Sequence, residues 1–251
     1  MHYTSNFLTK VVVRLDFGSN PISTLTPQSE LSALIHGTFP HVLTRPTNTF
    51  QVTFGPAGAG INPQMAVVQL EHTKEPNGTT QAIVSPTHLS LEYGAGDYTS
   101  FPSFEADFDL LYRSFRRLYP DCRIDRIGLR YINEITGDGA ALEWGDEIKD
   151  SLITGVMAGL VADARIARSM HQSVFIKGDD KATFHYGIWN QDFPAPIVRK
   201  SFVLDIDCYR ESLDPGADLM AIFRSLNTLA TDIFEASIEV GLRNRMGIEH
   251  E

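Results

Sequence analysis

Hydrophobic and polar residues alternate along several short stretches of this chain. In Lys10–Phe17 the apolar side chains Val11, Val13, Leu15 and Phe17 take every second position, a pattern typical of a half-buried strand. Similar stretches bounded by turn-forming residues predict further strands at Thr49–Phe54, Met65–His72, Thr80–Ser85, His88–Tyr93, Ile124–Ile135, Leu160–Ile176, Ala182–Trp189 and Ser201–Tyr209.

Four other segments repeat their apolar residues every three or four positions, which predicts amphipathic helices. The best marked covers Pro102–Tyr119, where Ser100 can cap the first turn and Pro120 ends the helix. The last one opens at Asp214-Pro215 and carries a long apolar stripe. We expect it to run for roughly 30 residues, or about 45 Å. The two remaining helices are predicted to open at Thr26-Pro27 and to cover Leu142–Ile153.

The order of these predicted elements repeats along the chain. Residues 1–120 and 121–251 both read as β-α-β-β-β(-β)-α. A shift of 116 positions places Arg14 on Arg130, and a shift of 115 places Glu92 on Asp207. Because the offset is nearly constant through strands and helices, it indicates an internal duplication. We therefore predict an α+β fold of two pseudo-repeats, packed as one globular body, that share a curved antiparallel sheet with helices on one face.

This order of elements resembles the helix-grip and TATA-binding-protein-like folds, in which a long helix lies across a curved antiparallel sheet. The resemblance implies that the long C-terminal helix crosses the sheet. It concerns topology alone, and topology does not assign a function.

Composition narrows the functional classes. The 251 residues include 21 Lys and Arg against 31 Asp and Glu, a net charge of −10, which argues against nucleic-acid binding and against attachment to anionic lipid. No apolar run reaches the ~20 residues of a membrane helix, and the first residues lack a signal-peptide pattern, so we expect a cytoplasmic protein. The 2 Cys provide neither a disulfide framework nor a zinc site.

One segment, Asp125–Ile135, reads DRIGLRYINEI. Together with Leu8–Leu15 and with Leu91–Tyr93 ahead of a Phe-rich helix, it resembles a sporadically distributed bacterial family of uncharacterised proteins of about this length. The likeness is densest from Leu89 to Ile135. It implies a bacterial accessory protein encoded in mobile-element or defence-related gene neighbourhoods, and it transfers no catalytic residue to this chain.

Two arginines, Arg14 and Arg130, occupy matching positions in the middle of predicted strands. A buried arginine needs a carboxylate or water, and the matched acids Glu92 and Asp207 are the natural partners. Two guanidinium groups at the centre of one sheet suit bidentate capture of a phosphate or carboxylate. A structural salt bridge on a half-exposed sheet is the alternative. We therefore predict that Arg14 and Arg130 contact an anionic ligand, with Glu92, Asn133 and Asp207 orienting them.

No arrangement of residues in the sequence fixes a catalytic chemistry. The glycine-rich Gly55–Gly60 lacks the Gly-Lys-Ser/Thr of a phosphate loop, and the histidines are scattered. The sequence therefore favours a non-catalytic module, without cofactor or metal, that binds a small anionic ligand or a partner protein. The alternative is a hydrolase using water activated by Asp205, Asp207 or His185, with or without a metal. A scaffold or antitoxin-like protein is a third hypothesis, and homodimerisation through an edge strand stays open.

Overall fold

The structure, a computed structural model, describes residues 3–18, 22, 28–47, 50–55, 58–63, 67–138, 142–157 and 166–247. Within these ranges the chain forms eleven strands and five helices. The first half contains β1 (Leu8–Asp16), α1 (Gln28–Ile35), β2 (His41–Thr47), β3 (Phe50–Gly55), β4 (Gly58–Pro63), β5 (Val67–Thr73), β6 (Gln81–Val84), β7 (His88–Gly94) and α2 (Phe101–Leu118). The second half contains β8 (Arg126–Gly137), α3 (Asp150–Met157), β9 (Ser169–Lys177), β10 (Asp180–Ile188), β11 (Lys200–Glu211), α4 (Leu219–Ser237) and α5 (Val240–Met246).

Nine of the described strands form one open antiparallel sheet, in the order β2-β5-β6-β7-β1-β8-β11-β10-β9. The other two, β3 and β4, pair with each other as a hairpin. Strands β1 and β8 lie side by side at the centre, where Val12 faces Arg130 and Arg14 faces Gly128. The predicted α+β architecture with an antiparallel sheet is therefore confirmed.

Helices α2 and α4 pack together against one face of the sheet, which we call the covered face. Phe104 and Phe108 of α2 meet Phe223 of α4 with ring centroids 6.0 and 4.8 Å apart, and all three side chains are fully buried. Burial of each such side chain stabilises the fold by roughly 1.5–3 kcal/mol. The sheet contributes apolar side chains from its central strands, among them Val11, Val13, Leu89, Leu91, Leu129, Leu204 and Ile206.

The helix at Phe101–Leu118 confirms the sequence prediction, and its N-cap is Ser100, whose hydroxyl accepts a hydrogen bond from the Ser103 N–H. The prediction of a single C-terminal helix of roughly 30 residues, in contrast, is wrong. Helix α4 has 19 residues, begins after the N-cap Asp218 and ends at the extended residue Ile238, after which α5 starts. The helix breaks there because Ile238 pairs with the backbone of Ile148 in an isolated β-bridge.

The predicted helix at Leu142–Ile153 is also misplaced, because α3 begins only at Asp150. The residues before it form turns in which Trp144 packs on Phe202, with 5.3 Å between the ring centroids, and Gly145 has a φ of +29°. Strands β2 and β4 were not predicted. Parts of several predicted elements lie outside the described residues. These are the helix start at Thr26-Pro27 and the strand starts at Thr49, Met65 and residues 160–165. None of the helices that the structure describes is long and apolar enough to cross a membrane.

Candidate functional site on the open face

The side of the central strands opposite α2 and α4 carries mostly charged and polar side chains, and we call it the open face. Strict alternation along each strand sends one set of residues to the core and the other set to this face. The open face is formed by Lys10, Val12, Arg14 and Asp16 of β1, His88, Ser90 and Glu92 of β7, Arg126, Arg130, Ile132 and Glu134 of β8, Asp205, Asp207 and Tyr209 of β11, and Thr183 and His185 of β10.

Arg14 lies in the middle of β1 and opposite Ser90 of β7. Its Nε donates a hydrogen bond to Oδ1 of Asp16 at 2.7 Å. The side chain of Arg14 is 46% exposed. Within the described residues, no hydrogen-bond partner contacts the two terminal nitrogens of this guanidinium group. Four of the five N–H donors of Arg14 therefore have no partner among the described residues.

Arg130 lies on the neighbouring strand β8, in a diagonal position relative to Arg14. Its Nε and Nη2 donate to the two carboxylate oxygens of Asp205 at 2.7 and 2.6 Å. This bidentate pair, the strongest geometry for such an interaction, raises the pKa of Arg130 above its usual value. On the other side of Asp205, the Nδ1 atom of His185 is 3.9 Å from Oδ2.

A third arginine, Arg126, lies beside these two pairs and was not among the residues predicted from the sequence. Its terminal nitrogens lie 3.4 Å from Asp16 and 3.3 Å from Asp207, so it bridges β1 and β11. The side chain lies close above Gly128, where an added Cβ would come within 2.7 Å of Nη1. Alternation could have identified it, because Arg126 is four residues before Arg130 and therefore shares its face.

The acids pair differently from the sequence prediction. Glu92 faces Val12 and forms its ion pair with Lys10 at 2.6 Å, whereas Asp207 faces Arg130 but bonds Arg126. Burial raises the pKa of Asp207, and the nearby arginines oppose that shift. The cause of the different pairing is the strand register, since an offset derived from sequence does not specify which residues face each other across two strands.

Asn133 is the one predicted site residue that the structure separates from the others. It lies an odd number of positions from Arg130 on β8 and therefore points to the covered face, where it is 4% exposed. Its Nδ2 donates a long hydrogen bond of 3.4 Å to the carbonyl of Leu204. The structure thus brings Arg14, Arg130, Glu92 and Asp207 to one face and places Asn133 on the other.

Most charged side chains of the central open face form ion pairs with one another. Four cations, Lys10, Arg14, Arg126 and Arg130, stand against four acids, Asp16, Glu92, Asp205 and Asp207. In the part of the chain that the structure describes, no group of three or more His, Cys, Asp or Glu side chains is placed to hold a metal ion. A charged group of a bound molecule can therefore take the place of one member of these ion pairs.

Comparison with known proteins adds no family to this geometry. No protein-family model matches the chain, and no curated protein sequence matches it significantly.

Proposed function

We propose that this protein is a non-catalytic binding module that docks a partner protein on the open face, with Arg14 and Arg130 receiving an acidic group of that partner. The observation that supports this most directly is the incomplete pairing of the two guanidinium groups. Among the described residues, Arg14 uses only Nε, and Nη1 of Arg130 has no partner beside the bidentate pair. Cross-strand diagonal neighbours lie about 7–8 Å apart, so one carboxylate or phosphate group can reach both.

The shape of the open face favours a protein over a small anion. Small-molecule sites are concave and enclose most of the ligand, whereas Arg14 and Arg130 project from a sheet surface with about half of each side chain exposed. Protein interfaces are broader and bury ~800 Å² on each partner. An acidic group surrounded by such an interface loses water, and its pairing with the arginines strengthens accordingly.

The contacts of Asp205 give the hydrolase alternative no support. Both oxygens of this carboxylate accept hydrogen bonds from Arg130, and the imidazole of His185 is 3.9 Å away, beyond hydrogen-bond distance. A carboxylate that works as a base needs an oxygen within about 3.2 Å of the water that it deprotonates. We therefore propose binding as the function of this face.

We also propose that the two halves arose by duplication of one unit, as the sequence offset suggests. The order of strands supports this origin, because β7 and β6 follow β1 outward from the centre as β11 and β10 follow β8. Matched helix positions support it too, since Phe104, Phe108 and Leu111 of α2 and Leu219, Phe223 and Leu226 of α4 are all buried. A cytoplasmic bacterial accessory role, encoded beside its partner in one operon, is part of the same proposal.

The test uses the proteins encoded by the genes adjacent to this one, each purified and titrated against the immobilised full chain. We expect one of them to bind, and the double variant Arg14→Ala, Arg130→Ala to weaken its binding at least tenfold. The matched control is Arg113→Ala, Arg117→Ala, which removes the same charge from exposed positions of α2. Binding should also weaken as the salt concentration rises, because exposed ion pairs are screened.

Three outcomes would contradict the proposal. One is that none of the neighbouring proteins binds. Another is that the folded double variant binds as tightly as the wild type. The third is that inorganic phosphate or citrate alone saturates the arginines at low concentration, which would identify a small anion as the ligand.

A further inference from the structure

A second site lies on the other side of the sheet, in a cavity of about 280 Å³ between β8, β11 and α4. The N-terminal segment and the start of α2 complete its wall. Asn6, Thr99 and Thr231 of this wall are exposed, so the cavity reaches the protein surface there. Its volume is close to the lower end of small-molecule sites, which begin at about 300 Å³. The cavity therefore has room for a ligand of one or two small rings.

The inner wall of the cavity holds a polar atom that has no hydrogen-bond donor among the described residues. Asn133 is 4% exposed, and its Nδ2 donates only the long bond to the Leu204 carbonyl. In the described part of the chain, nothing donates a hydrogen bond to its Oδ1. This oxygen is not fully shielded from solvent. A ligand N–H directed at it would take the place of solvent.

Asn227 of α4 supplies the complementary group. Its Oδ1 accepts the hydroxyl of Tyr131 at 2.8 Å, which fixes the orientation of the carboxamide and leaves the NH₂ group able to donate. Tyr131 and Tyr98 form an aromatic wall, edge to face, with 5.9 Å between their ring centroids. The lining thus offers an acceptor, a donor and flat apolar surfaces, which is the set of contacts that a planar heterocycle uses.

The charges around the cavity favour an uncharged ligand. Glu235 is the one carboxylate of the described lining, and it is already bonded by the hydroxyl of Tyr3 at 2.6 Å and by Nε of Arg243 at 3.1 Å. Burial raises the pKa values of Tyr98 and Tyr131, so both phenols stay neutral. An ion entering this space would lose its hydration without gaining a free counter-charge.

We infer that this cavity binds a small, uncharged, planar ring that presents an N–H and a C=O on one edge, of the size of a single nucleobase. The N–H donates to Oδ1 of Asn133, and the C=O accepts from the amide of Asn227. This site is independent of the proposed docking of a protein on the open face, since it uses the opposite side of β8.

The inference is tested with uracil, thymine and hypoxanthine as probes, by ligand-observed NMR and calorimetry on the full chain. 1,3-Dimethyluracil, which lacks the N–H groups, and orotate, which adds a negative charge, are the matched control ligands. We expect at least one of the three probes to bind and both control ligands to bind at least tenfold more weakly.

Variants locate the binding. Ala230→Leu fills the cavity from α4, and Asn133→Leu removes the side-chain oxygen that would accept the ligand N–H. Each variant should lower the affinity for the probe at least tenfold. Ala221→Leu, on the exposed side of α4, is the control and should leave binding unchanged. If a core variant does not fold, Thr231→Tyr at the exposed entrance provides the same block. Failure of all three probes to bind, or undiminished binding to the folded Ala230→Leu and Thr231→Tyr variants, would overturn the inference.

Discussion

The two faces of the central sheet use the same strands for different purposes. On the covered face, Asp180 pairs with Arg210 at 2.7 Å, and Ser225 of α4 adds a hydrogen bond to the same carboxylate. On the open face, Asp205 pairs with Arg130 at 2.6 Å. The side chain of Arg210 is 25% exposed and that of Arg130 is 47% exposed. Similar pairs therefore differ in their access to water, and access to water decides whether a pair stabilises the fold or remains available for binding.

The largest effect expected from this comparison comes from the covered face. Phe223→Ala removes the ring that joins α4 to Phe104 and Phe108 of α2, and leaves a cavity in the core. We expect a loss of about 4 kcal/mol in the free energy of unfolding, measured by urea denaturation. The open-face variant Ile132→Ala is the comparison, and it should lose less than half as much because Ile132 is partly exposed. Equal losses would mean that the two faces do not differ in burial.

Breaking the covered ion pair should have the next largest effect. Asp180→Asn leaves Arg210 without its carboxylate and Ser225 with a weaker acceptor, and the loss should be roughly 3 kcal/mol. The adjacent Asp179 is exposed, so Asp179→Asn is the matched control and should change the free energy of unfolding little. A loss below that of the control would show that Asp180 does not hold α4 to the sheet.

The corresponding change on the open face should cost less. Asp205→Asn removes the carboxylate of the bidentate pair, but water can solvate the half-exposed Arg130, so we expect a loss of about 1 kcal/mol. Urea denaturation of this variant beside Asp180→Asn gives the comparison directly. If both variants lose the same free energy, the open face is as dry as the covered face in solution, and the proposed docking surface does not exist there.

The smallest expected effect is a pH dependence at the edge of the cavity. Burial, with the hydrogen bond to Glu235, raises the pKa of Tyr3 from 10.0 to about 12. Since the folded-state pKa is the higher one, the contribution of Tyr3 to stability is complete below pH 10.0 and is lost as the pH rises towards about 12. The decline in unfolding free energy over this range should be shallower in Tyr3→Phe. A phenolate absorbance of Tyr3 that titrates near pH 10.0 would contradict the expected burial.

The elements that depend on local pattern were predictable from the sequence, and those that depend on distant contacts were not. Alternation located β1 and β8, and the cap and proline located α2, because each signal lies within a few residues. The break between α4 and α5 depends on the pairing of Ile238 with Ile148, which are far apart in sequence. Likewise, β2 lacks strict alternation, and its place is set by pairing with β5.

The same distinction holds for the two sites. The sequence predicted mid-strand positions for Arg14 and Arg130, and the structure confirms these positions, because the alternation that defines each strand is a local property. It could not identify their partners, because a change of register by two residues keeps every side chain on its face and still exchanges the neighbours. The second site is the cavity beside α4. Its polar lining depends on how far α4 stands from β8, and no pattern within one segment encodes that distance.

The register difference between the halves has one more consequence. Arg14 stands opposite a serine, Ser90, whereas Arg130 stands opposite an acid, Asp207. A surface built from two identical copies would have two-fold symmetry, and a partner could bind to it in either of two orientations. Here a two-fold rotation places the hydroxyl of Ser90 where the carboxylate of Asp207 was, so the two ends of the surface differ chemically. A partner that docks on the open face, as proposed, therefore has one preferred orientation.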